Sequence, residues 1–313
     1  MAANYIVNAN TNFPAPIVAE MFEKVNGRSS IAKLSAQKPI PFSGATEFVF
    51  TMDGKAQIVG ESGKKEKNQA KAEPVVIRPI KFLYQTRITK EFMNMSDEAR
   101  IPYLQAFADG FSKKIAEGID IAAFHGLNPY TMTASAVVGS NHFDYVATGN
   151  TAAYDPNSVD DVIDSLIQAV VADGGVVNGI AMSPTAGADL AKIKVNGVVQ
   201  YPEYRFGQNP DSFYGMKSDV NPTVSMAETG AAKEDQVILG DFQNAFRWGY
   251  AENVPLEIIE YGDPDQTGRD LKAYNEICLR SEAFIGWGIL DADSFGVAYK
   301  TSGATGATGG TGA

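Results

Sequence analysis

The sequence predicts an α+β fold, and three observations lead to this prediction. A long amphipathic helix is expected at residues 101–126, a helix–strand–helix unit at residues 158–192, and several strands in the last third of the chain. Helices and sheets combined in this way pack as layers around a common core. With 313 residues, of which 44% are hydrophobic and 20% charged, the chain is able to bury a sizeable core.

The first 46 residues are predicted to form an arm. Asn, Thr and Pro dominate residues 8–16, and a short amphipathic helix is expected at residues 17–25. Pro39 and Pro41 favour an extended chain. Little of this stretch could pack on itself, so we expect it to lie on another surface.

Residues 47–90 are predicted to form a long two-stranded hairpin, with strands at residues 47–52 and 75–89. The loop between them is rich in Gly and Lys. Residues 55–90 carry nine basic and three acidic side chains, a net charge of +6 in a chain whose total is −11. Because an isolated two-stranded ribbon is only marginally stable in water, this hairpin is expected to lie on a partner.

Residues 101–126 have the clearest helical pattern in the chain. Apolar residues recur every three or four positions, at Ile101, Leu104, Ala108, Phe111, Ile115, Ile119 and Ala122. Pro102 is expected in the first turn, where its missing N–H is no loss, and Gly126 at the end. A helix of this length spans about 37 Å.

Residues 127–156 are polar and turn-rich, and we expect them to form a surface excursion. Ser158, with Asp161 three residues later, resembles a capping box for a helix that ends at Gly174 and Gly175. A buried strand (residues 176–182) and a second helix (residues 183–192) are expected next. Turns are then expected at residues 196–197 and 221–222, strands at residues 236–239, 245–250, 256–261, 273–285 and 295–299, and a flexible low-complexity tail at residues 301–313.

Composition argues against several classes of protein. The isoelectric point near 4.7 argues against a dedicated nucleic-acid binder. The sequence has neither a run of about eighteen apolar residues that could span a membrane nor the pattern of a signal peptide. The single Cys278 excludes an internal disulfide and is expected to be a buried, unreactive thiol.

The sequence shows no catalytic constellation, so we predict no enzyme, no cofactor and no metal ligand. The two histidines, His125 and His142, lie outside any metal-ligand spacing, and His125 is expected to play a structural role at a helix C-terminus. Phosphate-binding glycine loops and the GxSxG motif do not occur. Residues 263–268 imitate the start of a calcium loop, but Tyr274 replaces the required glutamate, so a plain turn is expected.

The order of several short segments resembles the major capsid proteins of tailed phages, which have the Hong Kong 97 type fold shared with encapsulin shells. The segments are GIDIAAFHGLNP (residues 118–129), SPTAGADLAKIK (183–194), GMKSDVNP (215–222), GDFQNAFRWGY (240–250) and CLRSEAFIGWGILDADSFGVA (278–298). The resemblance covers nearly the whole chain.

This resemblance implies a division of the chain into named parts. They are an N-terminal arm (1–46), an extended hairpin called the E-loop (47–90), a peripheral domain (91–156) with a spine helix (101–126), an axial domain (157–255), strands that complete both domains (256–300) and the tail (301–313). It also implies contacts between subunits through the basic hairpin, for which the candidates are Lys64, Lys65, Lys67, Lys71 and Arg78.

The function implied is a shell subunit that self-assembles into pentamers and hexamers of an icosahedral phage head around double-stranded DNA. Implied partners are a separate scaffolding protein, a portal and possibly a decoration protein, with DNA held without sequence-specific contacts and no membrane. The implied location is the virion, after assembly in the host bacterial cytoplasm. Some relatives crosslink a loop lysine to an asparagine; since the chain has no asparagine after Asn275, noncovalent locking is expected.

Three alternatives remain open from the sequence. An encapsulin-like compartment with a protein cargo would use the same fold. A soluble α/β enzyme with an unrecognised site is a second alternative. A nucleic-acid binder using Lys64, Lys65 and Lys67 is the third, although this cluster lacks interleaved aromatic residues.

Overall fold

Two hydrophobic cores organise the chain, one on each face of a six-stranded sheet. The computed structural model describes residues 24, 28–52, 58–59, 61, 63–64, 70–91, 97–253 and 257–301. Along the sheet, Ala181 and Ile238 face the first core, which also holds the long helix, while Ile180 and Val237 face the second. The predicted α+β class is therefore confirmed.

The described helices are five, one of them long. They are α1 (Ser30–Leu34), α2 (Asp97–His125), α3 (Phe143–Val146), α4 (Val159–Ala172) and α5 (Pro184–Leu190), with 3₁₀ helices at Pro202–Gly207 and Pro222–Ser225.

The first strands along the described chain are β1 (Ala45–Met52), β2 (Ala70–Ile77), β3 (Ile80–Thr89), β4 (Leu127–Asn128), β5 (Thr133–Ala134), β6 (Asn150–Ala153), β7 (Gly179–Met182), β8 (Lys194–Val195) and β9 (Val198–Val199). The later strands are β10 (Ser212–Phe213), β11 (Met216–Val220), β12 (Lys233–Gly240), β13 (Phe246–Asn253), β14 (Glu257–Ile259), β15 (Glu276–Ile289) and β16 (Phe295–Thr301). All five strands expected in the last third are present, with ends shifted by a few residues.

The strands form two main sheets. The six-stranded sheet has the order β10-β11-β7-β12-β16-β6, in which β11 is parallel to β7 and β16 to β6. In the second sheet, β15 pairs with β3 on one edge and with β13 and β14 on the other. Strands β1 and β2 pair only with each other among the described strands.

The predicted apolar face of the long helix is confirmed. Leu104, Phe111 and Ile119 are each at most 1% exposed, and Gly126 ends the helix with a φ of +67°. The helix begins four residues earlier than predicted, so Pro102 lies inside it rather than in the first turn. Acidic residues precede the proline in the sequence, and negative charge favours a helix N-terminus there.

The single strand predicted at residues 75–89 is wrong. The structure divides it into β2 and β3 at Arg78 and Pro79. Proline has no N–H to donate to a sheet ladder, so the chain changes partner at this point. Strand β2 pairs with β1, whereas β3 pairs with β15 in the core sheet.

The surface excursion expected at residues 127–156 is confirmed for most of its residues, which are exposed, but not for Phe143 and β6. Phe143 of α3 is fully buried, with its ring 4.9 Å from that of Phe295 and 5.7 Å from that of Phe124. Strand β6 completes the edge of the six-stranded sheet. Phe143, with Val138 and Ala147, therefore anchors a largely exposed segment to the first core.

The cap predicted for α4 is present at its C-terminal end but not at its N-terminal end. The Ser158 side chain bonds Asp155 instead of a helix N–H, so the expected capping box is not formed. At the other end, the N–H groups of Gly174 and Gly175 donate to the carbonyls of Val171 and Val170, which is the paired pattern of a Schellman cap. Gly174, with a φ of +86°, adopts the left-handed conformation this cap needs.

Several smaller predictions fall within the described chain. Asn196 and Gly197 form the β8–β9 turn with positive φ at both positions, as a two-residue hairpin requires. Cys278 is fully buried, and burial raises the pKa of its thiol. The helix expected at residues 17–25, apart from residue 24, and the tail from residue 302 onward lie outside the described residues.

Candidate assembly surface

Strands β1 and β2 form a two-stranded antiparallel ribbon, which we call the arm from here on. This arm is part of the hairpin predicted at residues 47–90, and the name no longer refers to the N-terminal arm predicted at residues 1–46. Its pairing runs from Ala45 opposite Ile77 to Met52 opposite Ala70. Each strand has eight residues, so the ribbon is about 24 Å long at ~3.4 Å per residue. A ribbon of two strands has no second layer of its own on which to bury a face.

One face of the arm presents apolar side chains to solvent. Phe48 lies opposite Pro74 and Thr46 opposite Val76, and residues directly opposite each other share a face. Phe48 is 62% exposed and Val76 is 51% exposed. Neighbouring apolar side chains left in water on one face are typical of an interaction surface.

The base of the arm is fixed to the core sheet. Ile77 is fully buried, and a Cβ added to Gly288 of β15 would lie 2.8 Å from its Cγ1 atom. Glu47 of β1 forms an ion pair with Arg247 of β13. Because Gly288 has no side chain, the end of β2 packs closely on β15. The base of the arm is therefore held by the core sheet, and its other end is exposed.

The described residues 28–40, which precede the arm, pack on the core of their own chain, whereas the sequence predicted only that this stretch would lie on another surface. Ile31 and Leu34 of α1 are fully buried in the first core. The buried Asp120 carboxylate of α2 accepts hydrogen bonds from the Ser29 hydroxyl (2.5 Å) and the Ser30 N–H (2.8 Å). Burial raises the pKa of Asp120 to about 7, although these hydrogen bonds lower it.

The extended stretch after α1 crosses β13 in backbone contact. The N–H groups of Lys38 and Ile40 donate to the carbonyls of Trp248 and Tyr250, at 2.9 and 3.2 Å. A Cβ built on Gly249 would overlap the carbonyl oxygen of Lys38. Only glycine leaves room for this crossing, so the sequence signal at this position is the glycine itself.

Of the five predicted contact residues, the structure describes Lys64, Lys71 and Arg78. Lys64 is exposed, and Lys65 and Lys67 lie outside the described residues. Lys71 stands opposite Thr51 near the far end of the arm. Arg78 is exposed at the base of the arm, about 24 Å away at ~3.4 Å per extended residue.

The calcium-like turn at residues 263–268 holds an arginine. The Arg87 guanidinium of β3 donates to Asp263 at 2.6 Å and to Asp265, and it also pairs with Glu276 at 3.1 Å. The Arg87 guanidinium lowers the pKa of the Asp265 carboxyl below its ordinary value. The oxygen donors that imitate a cation loop thus serve to bind β3 to the turn before β15.

A membrane-crossing helix is not found in the part of the chain that the structure describes, where the longest helix, α2, is insufficiently apolar.

Comparison with known proteins shows the family to which the chain belongs. A family model described as the phage capsid family matches residues 12–298. Among solved structures, one from Mycobacterium phage Ogopogo is 29% identical with a TM-score of 0.74, covering 88% of this chain and 92% of its own. One from Gordonia phage Cozz is 23% identical with a TM-score of 0.70, covering 88% and 87%.

A more distant neighbour shares the fold alone. A structure titled as the capsid of an empty GTA particle computed with C5 symmetry is 13% identical with a TM-score of 0.57, covering 88% of this chain and 90% of its own. Among curated proteins, none matches the sequence.

The mixed helix and sheet fold matches phage capsid structures and is of the Hong Kong 97 type. The chain belongs to the phage capsid family. It is a phage major capsid protein, a structural subunit of an icosahedral head, and its place is the capsid of the virion.

Proposed function

We propose that the subunit assembles by laying the apolar face of its arm on the next copy of the chain, within pentamers and hexamers. The exposed pair of Phe48 and Val76 carries this proposal, because the arm has no core of its own to cover them. The occupant is a second copy because the family builds its shell from repeats of one subunit.

Charge complements the apolar contact. Residues 55–90 carry a net charge of +6, whereas the rest of the chain carries −17. Lys81, Arg87 and Lys90 of this range form ion pairs within their own chain. We therefore assign the attraction for an acidic neighbour to the basic residues of the loop and of the base of the arm. Each exposed ion pair contributes only about 0–1 kcal/mol, so strength comes from apolar burial and from many repeated contacts. We propose Lys64, Lys65, Lys67, Lys71 and Arg78 as contributors to this attraction.

The assembled shell would enclose double-stranded DNA without sequence-specific contacts and without covalent crosslinks. A separate scaffolding protein, a portal and possibly a decoration protein would take part in head assembly in the host bacterial cytoplasm. The subunit would act through contacts, with no catalytic step. The phage capsid family match favours a head over an encapsulin-type compartment with protein cargo.

Electron microscopy of the purified full-length protein tests this proposal. We expect closed shells above a threshold concentration, and nucleic acid inside particles recovered from infected cells. A protein that stays monomeric or dimeric across a range of protein and salt concentrations, with turnover of some substrate, would contradict it.

A further inference from the structure

A cavity of about 380 Å³ lies where the C-terminus of α2 meets the six-stranded sheet. Its walls come from the end of α2, from α3, and from strands β6, β12 and β16. Three metal-ligating side chains line it together: His125, Asp144 and Asp235. One ligand atom from each lies within 4.8 Å of the other two.

The first observation concerns the two ring nitrogens of His125. Its Nε2 atom lies 2.9 Å from the Thr223 carbonyl oxygen, which can only accept, so Nε2 carries a proton. In the neutral ring, Nδ1 then has a free lone pair, and it lies 3.0 Å from the Asp144 carboxylate. Two lone pairs at this distance repel unless a proton or a cation joins them.

The second observation concerns Asp235. This residue is 7% exposed, and its Oδ2 atom has no hydrogen-bond partner. The register of β12 against β16 shifts between Asp235 and Val237. Irregularities of this kind re-aim side chains and occur beside functional sites. Burying a carboxylate oxygen without a hydrogen-bond partner costs free energy, so its position on the cavity wall indicates that a ligand binds there.

A proton and a divalent cation differ in how many of the three ligand atoms they can bind. Protons alone would have to be two, one between His125 Nδ1 and Asp144 and one on Asp235, whose pKa is raised by burial and by the neighbouring Asp144 carboxylate. A divalent cation contacts all three atoms, and two carboxylates with a neutral imidazole balance its charge. Ligand atoms around one ion lie about 3–4 Å apart, so a contraction of under about 1 Å closes the set.

We propose that His125, Asp144 and Asp235 form a site for one divalent first-row transition ion. One imidazole with two carboxylates suits Zn²⁺ or its neighbours, while Mg²⁺ and Ca²⁺ favour oxygen donors alone. The bond from Nε2 to the Thr223 carbonyl orients the ring as a backbone carbonyl does behind many metal-binding histidines. Asp144, whose side chain is 38% exposed, gives the ion a route from solvent.

The site joins parts of the fold that are separate in sequence. His125 ends α2, Asp144 lies in α3, and Asp235 lies in β12. An ion held by all three ties the long helix to the sheet that separates the two cores. Metal binding of this kind stabilises the folded subunit by linkage, because the unfolded chain has no preformed site.

Zn²⁺ binding to the full-length protein tests the proposal. The subunit is dialysed against a chelator and then titrated with Zn²⁺, and metal content, calorimetric affinity and Tm are measured. We expect one ion per subunit and a higher Tm. In parallel, Co²⁺ serves as a spectroscopic probe, since its visible absorption reports nitrogen and oxygen ligands directly.

Two variants and one control define the outcome. Asp235→Asn and Asp144→Asn should each weaken Zn²⁺ binding by about 100-fold or more and change the Co²⁺ spectrum. Asp144 is partly exposed, so its variant keeps the test valid if Asp235→Asn folds poorly. Asp164→Asn makes the same charge change on the exposed surface of α4 and should bind as the parent does. Absence of stoichiometric binding, or equal affinity in all three variants, would overturn the proposal.

Discussion

Replacing Phe48 by Ser should raise the protein concentration needed for shell assembly. An aromatic side chain offers about 200 Å² of surface, of which Phe48 leaves 62% exposed in the subunit. That is about 120 Å² of apolar area available for burial on a neighbour. At ~25 cal/mol per Å², it contributes up to about 3 kcal/mol per contact, or about a hundredfold in the association constant.

Light scattering at increasing subunit concentration measures the assembly threshold, with electron microscopy to confirm closed shells. Phe48→Leu is the matched control, because it keeps an apolar side chain at the same position and should assemble near the parental threshold. Circular dichroism checks that both variants are folded. Assembly of Phe48→Ser at the parental concentration would refute the role of the apolar face, and so would equal failure of both variants.

Three further predictions concern the N-terminal segment and the basic loop. Gly249→Ala should displace the stretch that crosses β13, since its Cβ meets backbone, and should raise hydrogen exchange at residues 38–40 without unfolding β15. Burial raises the pKa of Asp120 from 3.8 to about 7, so its contribution to stability is full below about pH 4 and is lost as pH rises to 7. The free energy of unfolding of the isolated subunit, measured in urea against Asp120→Asn, should therefore fall by roughly 4 kcal/mol over that range relative to the variant; a flat difference would contradict it. Reversing Lys64, Lys65 and Lys67 to Glu should weaken shells in a salt-dependent way while circular dichroism stays unchanged; unfolding instead would mean that the loop packs within its own chain.

Local patterns in the sequence were enough to predict most elements. The three-and-four spacing of α2 reflects a helix with one buried face, and Leu104, Phe111 and Ile119 occupy that face. Asn196-Gly197 specifies its turn because both positions need positive φ. The resemblance carried the prediction further, to the shell class itself, because the order of several short segments is more specific than any one of them.

Features that depend on contacts between distant residues could not be predicted in the same way. Phe143 belongs to a polar stretch, and its burial is explained by the rings of four residues from other elements: Phe124, Phe242, Phe246 and Phe295. Arg87 fills a turn that comes from residues 263–267, far along the chain. Such pairings depend on the tertiary fold, for which a local pattern gives no signal.

The candidate metal site illustrates the same limit. No metal ligand is predicted from the sequence, because His125, Asp144 and Asp235 are too far apart for any ligand motif. The expected structural role of His125 at a helix C-terminus agrees with its bond to the Thr223 carbonyl. Its second nitrogen acquires neighbours only through α3 and β12, which the topology brings to one cavity.

Cryo-electron microscopy of the assembled full-length protein tests the central claim most directly. We predict a closed icosahedral shell of pentamers and hexamers, in which the face of the arm that bears Phe48 and Val76 is buried on the adjoining copy. A shell in which that face remains in solvent or folds back on its own chain would contradict the account.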